Sequence, residues 1–357
     1  MLPSEGWHAY ALLDHSPCPA TDDATMNLSR PAAKWPLLLM LLLPGGAAFA
    51  GTPDDSGGIW SLSLENSSIT PTTPADRNYT NGIGVNWTSP AGAVPNAVGG
   101  LSRWLWGPGS DHVSLGVFQQ IFTPDDTSAN PPNPEQRPYA GYLALHFGLI
   151  NDQPNAENLL SVDLGAVGEI ALGEQVQNAF HRLIGQEEDK GWGYQLHDEP
   201  TLEISGGRTW RLPLGNIAGL ATDVLPAVSA GVGNVMVYGE AGAVFRIGQN
   251  LDADFGPSRL PPSLEGSTVY LPRPSAWYVF FGGDGQAVAH NLFLEGNTFS
   301  PSPRVNIYPM VGEFEAGVAV IIWGMRISYQ QVFQTNTWHG QSGSIFSYGA
   351  LQVSARF

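Results

Sequence analysis

Past residue 50 this chain has no cysteine, because its single thiol, Cys18, lies in the first fifty residues. With no thiol downstream, disulfides and thiolate metal sites are excluded there. No apolar run after residue 50 approaches the ~20 residues that a membrane-spanning helix needs. Charge is scarce as well: charged residues are 13% of the chain, about half the ~25% usual for soluble domains. Bases are scarcer than acids. Setting residues 1–50 aside leaves 28 acids (32 less 4) against 13 bases (15 less 2), a net of −15. Nucleic-acid phosphates need a basic surface, so DNA and RNA binding are excluded.

The common hydrolase signatures are missing too. There is no G-x-S-x-G elbow, since "AVSAG" around Ser229 lacks the first glycine. Neither an H-E-x-x-H zinc helix nor a phosphate-binding glycine loop is present. "LDADFG" at 251–256 begins like a calcium loop, but no acid follows at the required spacing, and it reads as a polar turn.

What is present begins with a processing signal. Met26 opens "MNLSRPAAKWPLLLMLLLPGGAAFA", with Arg30 and Lys34 ahead of an apolar run and Ala48-Phe49-Ala50 before Gly51. This is the pattern of a secretory signal peptide over residues 26–50. Residues 1–25 carry no targeting logic and read as an extension from a start codon placed too early; a short cytoplasmic extension on a signal anchor is the alternative. Residues 51–357 remain as the working domain.

Glycine (43 residues) and aromatics (10%) are abundant in this low-charge exported chain. With no helical span available, that composition points to an outer-membrane β-barrel. Strand-like segments recur near 58–66, 79–88, 112–122, 139–150, 159–170, 199–211, 222–233, 236–248, 275–284, 305–322, 324–333 and 346–357, bounded by Pro, Gly, Asn and Asp clusters. In "YLALHFGLI", Leu143, Leu145, Phe147 and Leu149 fall on one face. In the last segment Ile345, Ser347, Gly349, Leu351, Val353, Ala355 and the terminal Phe357 do the same. An amphipathic last strand ending on an aromatic resembles the signal that barrel assembly machinery reads in bacterial outer-membrane proteins. The predicted fold is therefore all-β, an antiparallel transmembrane β-barrel of about 12 strands. A soluble sandwich is the competing architecture.

If the chain enters from the periplasm, the connections 67–78, 123–138, 171–198, 234–235, 285–304 and 334–345 face outward. Residues 89–111 and 249–274 are then long, Pro/Gly-rich periplasmic connections, where turns are usually short. The third outward loop holds a short extracellular helix in "GEQVQNAFHRLIGQE". Val176, Phe180, Leu183 and Ile184 recur at helical spacing, and Gly185 offers a stop. His181 sits on its polar side, with Gln177 four residues earlier and Asn178 three earlier. A neutral imidazole whose second nitrogen is held by an amide or carboxylate is a good general base. A histidine lying at the membrane interface without chemistry is the plain alternative.

Three pairs of segments, taken in order, add to this. "ENSS" at 65–68 and "DRNYTNG" at 76–82 flank the first outward loop, and "QQIFTPDD" and "QRPYAGY" bracket the second. "EQVQNAFHRLIG" followed by "GWGYQLHDEP" fills the third. Together they resemble the lipid A 3′-O-deacylase family of Gram-negative outer membranes, most closely over residues 58–210. The resemblance implies a twelve-stranded barrel with a site between the outside of its wall and the loop helix, acting on the 3′-linked acyl ester of lipid A. There a histidine activates water while Ca²⁺ stabilises the oxyanion, as in calcium-dependent phospholipases.

Carried over residue by residue, His181 is implied as the base, with Asn66, Thr80 and Glu187 beside it. Asn66, Ser67 and Thr80 are the implied metal contacts; Arg137, at the "RPYAGY" strand start, and Gln177 are the candidate substrate contacts. Glu187 reaches His181 only if the helix breaks at Gly185. The chain departs from the family pattern at Ser67, where aspartate is common, and in the second loop, where 123–136 holds Asp125, Asp126 and Glu135 but no base. Implied partners are lipopolysaccharide and the outer membrane. An outer-membrane phospholipase or esterase, and a catalytically silent structural or channel-forming barrel, are the competing readings.

Overall fold

The computed structural model describes residues 57–69, 78–261 and 266–357. The extension, the signal segment and Cys18 lie outside the described residues. Twelve strands run in chain order. They are β1 (Ile59–Asn66), β2 (Asn78–Thr88), β3 (Ser110–Thr123), β4 (Ala140–Gln153), β5 (Ala156–Val167), β6 (Glu199–Trp210, continued by Leu212–Ile217), β7 (Leu220–Gly233), β8 (Met236–Gln249), β9 (Ser275–Asn291), β10 (Met310–Ile322), β11 (Met325–Thr335) and β12 (Ile345–Arg356). Each pairs antiparallel with its neighbours in sequence, and β1 closes the ring on β12 from Ile59↔Arg356 to Asn66↔Gly349. β6 pairs with β7 from Glu203↔Gly233 to Thr209↔Ala227, and its continuation pairs further along the same strand, so the pair adds no thirteenth stave.

The two-residue period explains the closure. In β12, Phe346, Tyr348, Gln352, Ser354 and Arg356 are buried, whereas Ile345 is exposed. Outside, Ile83, Val85, Leu115, Val117, Leu145 and Phe147 stay exposed across three adjacent strands, an apolar band suited to lipid. Among the described residues no helix is long and apolar enough to cross a membrane. All twelve expected strands are present, with shifted ends. β5 stops at Val167 because Gly168 turns the chain with φ 110°. β9 runs on to Asn291, and β10 begins only at Met310.

Both awkward connections have structure of their own. Residues 89–109 contain a helix, α1 (Asn96–Trp106), that packs on β4. Its Gly99-Gly100 pair weakens the helical signal in the sequence. Residues 250–261 and 266–274 turn into the lumen. Asp254 there accepts from Arg246 Nη1 on β8 (2.8 Å), from Arg326 Nη1 on β11 (3.1 Å) and from Tyr278 OH on β9 (2.9 Å). Arg246 also grips Asp223 on β7 through two bonds of 2.9 and 2.6 Å. Further along, Ser258 Oγ accepts from Gln352 Nε2 (2.9 Å), Arg259 donates to Tyr348 and Glu313, and the Leu260 N–H donates to Glu65 (2.7 Å). These bonds sew the segment, as an internal plug, to six strands, β1 and β8 to β12.

Both arginines and Asp254 are fully buried, so each charge depends on the others. Burial pushes the Asp254 carboxyl up, but Arg326 and Arg246 outweigh it and hold it below the ordinary range. Asp254→Asn takes from buried Arg326 its ion-pair carboxylate and leaves Arg246 with Asp223 alone, and should cost about 3–5 kcal/mol, read as a lower urea midpoint for the refolded barrel. In the parent protein the Asp254 contribution is fully present above the ordinary carboxylate value of ~4 and is lost as pH falls through the depressed folded value. The difference between parent and Asp254→Asn should therefore shrink in acid.

Candidate active site

The helix α2 (Gly173–Ile184) lies across the outside of the wall, over β3 and β4. Two glycines permit the approach: a Cβ on Gly141 of β4 would meet the Gly173 backbone at 3.0 Å. The Gln119 side chain on β3 donates to the Ala171 carbonyl at 2.6 Å and fixes the start of the helix. The sidedness of α2 is inverted relative to a helix on a soluble core. Gln177, Asn178 and His181 are buried against the barrel, whereas Val176, Phe180 and Leu183 are exposed, Leu183 at 77%. Ile170 and Leu172, just before the helix, are exposed as well. The polar stripe faces protein, and the apolar stripe faces outward.

Gly185 ends the helix with φ 74° and lets the chain fold back, its return marked by the Gln186 N–H bond to the His181 carbonyl (2.8 Å). That reversal brings the Glu187 carbonyl to 2.9 Å from His181 Nδ1. A carbonyl can only accept, so Nδ1 carries the proton and Nε2 keeps the lone pair in the neutral ring. The carboxylate beside the ring belongs to Asp189, whose Oδ1 is 3.8 Å from Nδ1. Asn178 Oδ1 accepts the Asp189 N–H at 3.0 Å and so positions it. Glu187 thus reaches His181 through its backbone, while its side chain is exposed. Nothing in the spacing marks Asp189, because it approaches only after a left-handed turn. Gln177, one helical turn before His181, has both side-chain polar atoms buried with no hydrogen-bond partner among the described residues.

The other expected residues sit on the ledge formed by β1, β2 and β3. Thr80, at a bulge in β2, shares a 2.7 Å hydroxyl contact with Thr123 at the end of β3, the strand beneath α2. Asn66 donates to Asn81 Oδ1 (3.2 Å) and accepts the Ser68 N–H (2.6 Å). The Ser67 N–H meets the Thr80 carbonyl at 3.4 Å, and the buried Ser67 Oγ has no partner among the described residues. Asn66, Ser67 and Thr80 therefore form one group, and His181, Asp189, Asn178 and the Glu187 carbonyl another. Strand β3 underlies both.

This ledge does not fit a calcium ion unaided. Ca²⁺ takes six to eight oxygens, usually including carboxylates, and the three candidate residues offer only neutral ones. Glu65 does not make up the loss. Its carboxylate faces the lumen, where it accepts from Tyr79 OH and the Leu260 N–H, both at 2.7 Å. Among the described residues no group of three or more His, Cys, Asp or Glu could hold a metal. Arg137 is also placed apart from His181. Its guanidinium lies over the inward-facing rings of Phe122 (4.5 Å) and Trp338 (5.5 Å) at the luminal mouth. Burial pulls its pKa down to about 9, against the raising effect of Asp125.

Gly185→Ala places a Cβ on a left-handed backbone and should cost about 1 kcal/mol locally. The expected outcome is faster tryptic cleavage after Arg182 and Lys190, with the barrel strands still protected.

The family model described as outer membrane protein LpxR matches residues 37–357. Among solved structures, LpxR from Salmonella typhimurium superposes with a TM-score of 0.68 at 22% identity, covering 84% of this chain and 100% of that one. The β domain of the Bordetella autotransporter BrkA gives a TM-score of 0.42 at 10% identity over 85% of this chain and 100% of that one. No curated protein sequence matches.

Proposed function

Because this chain belongs to the outer membrane protein LpxR family, we propose that it is a lipid A deacylase working at the outer surface of its barrel. Its substrate would be the ester that links the 3′ acyloxyacyl chain to the sugar of lipid A. One observation carries the reading: a buried imidazole with a fixed proton is clamped between the outer wall and a helix whose apolar side faces away from the protein. In an outer membrane that apolar side meets acyl chains, so Val176, Phe180 and Leu183 would sit among them. The polar stripe then lies at the junction of acyl chain and sugar.

In this mechanism water attacks the ester carbonyl carbon while its proton passes to His181 Nε2. The Glu187 carbonyl holds the ring, and the Asp189 carboxylate steadies the positive charge that develops on it. The Gln177 amide, one turn away, is assigned as a donor to the oxyanion. When the tetrahedral adduct collapses, the carbon–oxygen bond to the sugar breaks and the departing 3′ oxygen takes the proton from Nε2. Acid and alcohol are the products, and no covalent enzyme intermediate is needed. Calcium, which the family resemblance implies, would be drawn to Asn66, Ser67 and Thr80 and would polarise the carbonyl. Their neutral oxygens leave any such ion weakly held, so no step here depends on it.

Mass spectrometry of lipid A from cells expressing the chain tests the proposal. The parent protein should remove one 3′ acyloxyacyl group, and His181→Ala should lower the rate about 10²–10⁴-fold while gel migration of the folded barrel stays heat-modifiable. Undiminished activity in that variant removes His181 from its role. Unchanged lipid A beside hydrolysed phospholipid would favour a phospholipase. No change in either would favour a silent barrel, the outcome to which the missing carboxylate at Ser67 points. A separate expectation concerns the metal. Ser67→Asp should make hydrolysis more sensitive to calcium and to chelation, and a fall in activity with no gain in calcium response would place any metal elsewhere.

A further inference from the structure

The outward mouth of the lumen holds a second polar site, on the other side of the wall from His181. A cavity there encloses about 960 Å³ of non-protein space, open solvent at its mouth included. On one side it is lined by Arg137 and Trp338, from two outward loops. Arg137 is 6% exposed and Trp338 0%. Arg137 Nε and Trp338 Nε1 are both buried N–H donors with no hydrogen-bond partner among the described residues. Among those residues the Asp125 carboxylate acts on Arg137 electrostatically, but no carboxylate accepts a hydrogen bond from its guanidinium. The ring contacts brace the guanidinium, but they accept none of its in-plane hydrogens. A buried cation with open donors is costly unless an anion reaches it.

The opposite side of the cavity is acidic, with Glu240 on β8, Asp284 on β9 and Glu313 on β10. Glu313 is already engaged by Arg259 Nη2 (2.8 Å) and Gln334 Nε2 (2.6 Å). Glu240 accepts from Ser229 Oγ at 3.0 Å and shares a hydrogen bond with Asp284, so the two carboxyl groups hold one proton between them and carry one negative charge. Asp284 Oδ1 is buried with no partner among the described residues. A lone anion entering to meet Arg137 is repelled by these acids, and a lone amine leaves the guanidinium unmet. Both ends are satisfied together only by a molecule carrying both charges.

We propose that this cavity binds a small dipolar ligand, its phosphate or carboxylate held by Arg137 and Trp338 and its ammonium by Asp284 and Glu240. The site is separate from the ester-cleaving site and does not rest on it. Isothermal titration of the refolded, detergent-solubilised full barrel with phosphoethanolamine, 4-aminobutyrate, inorganic phosphate and ethanolamine tests this. At least one dipolar probe should bind about tenfold more tightly than inorganic phosphate or ethanolamine. Whether phosphoethanolamine or 4-aminobutyrate is preferred identifies the anion as phosphate or carboxylate. Arg137→Gln should abolish that preference, and Asp284→Asn should weaken the dipolar probe without weakening inorganic phosphate. His181→Ala should leave every affinity unchanged. If Arg137→Gln does not fold, Trp338→Phe, which keeps the ring and removes its donor, should still weaken the dipolar probe several-fold. No saturable binding of any probe, or equal binding by folded Arg137→Gln, overturns the proposal and leaves Arg137 as a brace between two rings.

Discussion

The carboxylate of Asp254, caught between Arg246 and Arg326, is the contact on which the interior of this barrel depends. A ring of twelve strands leaves a lumen that side chains alone do not fill. Here it is filled from below, by a connection that enters from the end where β1 begins and β12 finishes. Charge is a natural way to hold such a plug. The inward faces of the strands are polar, and a buried ion pair fixes register as well as position. The same arginines reach β7 through Asp223 and β12 through Gln352, so strands far apart in the chain share one network.

The outer wall applies the opposite rule. A helix on a soluble core buries its apolar stripe, and α2 buries its polar one. The hydrophobic effect does not drive that choice against a lipid-facing wall, because the surroundings are as apolar as the stripe itself. What holds α2 is hydrogen bonding and close glycine contact, and what is enclosed beneath it is polar. The exposed apolar residues and the buried histidine are two sides of one arrangement.

The strands were legible because their signal is local. Alternation in "YLALHFGLI" and in the final segment needs no knowledge of neighbours, and turn residues mark the ends. The third-loop helix was legible for the same reason, and Gly185 as its stop correctly anticipated the break that brings Glu187 back to His181. What stayed hidden depends on contacts between distant parts of the chain. Asp189 meets the ring only after a reversal, and the Glu187 carbonyl is invisible to any argument from side chains. Arg137 reads as an outward-loop cation, yet Phe122 and Trp338 draw it into the mouth. Glu65 is close in sequence to Ser67 but faces the lumen, since β1 ends between them. Helix α1 was obscured by its glycine pair. The plug left only a long, proline-rich gap between strands.

The seam of the cylinder joins the N-terminal strand to the C-terminal one, and the Phe357 N–H caps it by donating to the Gly58 carbonyl at 2.9 Å. Such a sheet cannot close until β12 has been delivered to β1. Every earlier intermediate carries two raw edges of unpaired amides, each a template for the wrong partner. Biogenesis of this molecule is therefore a problem of guarding edges in time, and the Phe357 N–H beyond β12 is the latch that ends the wait.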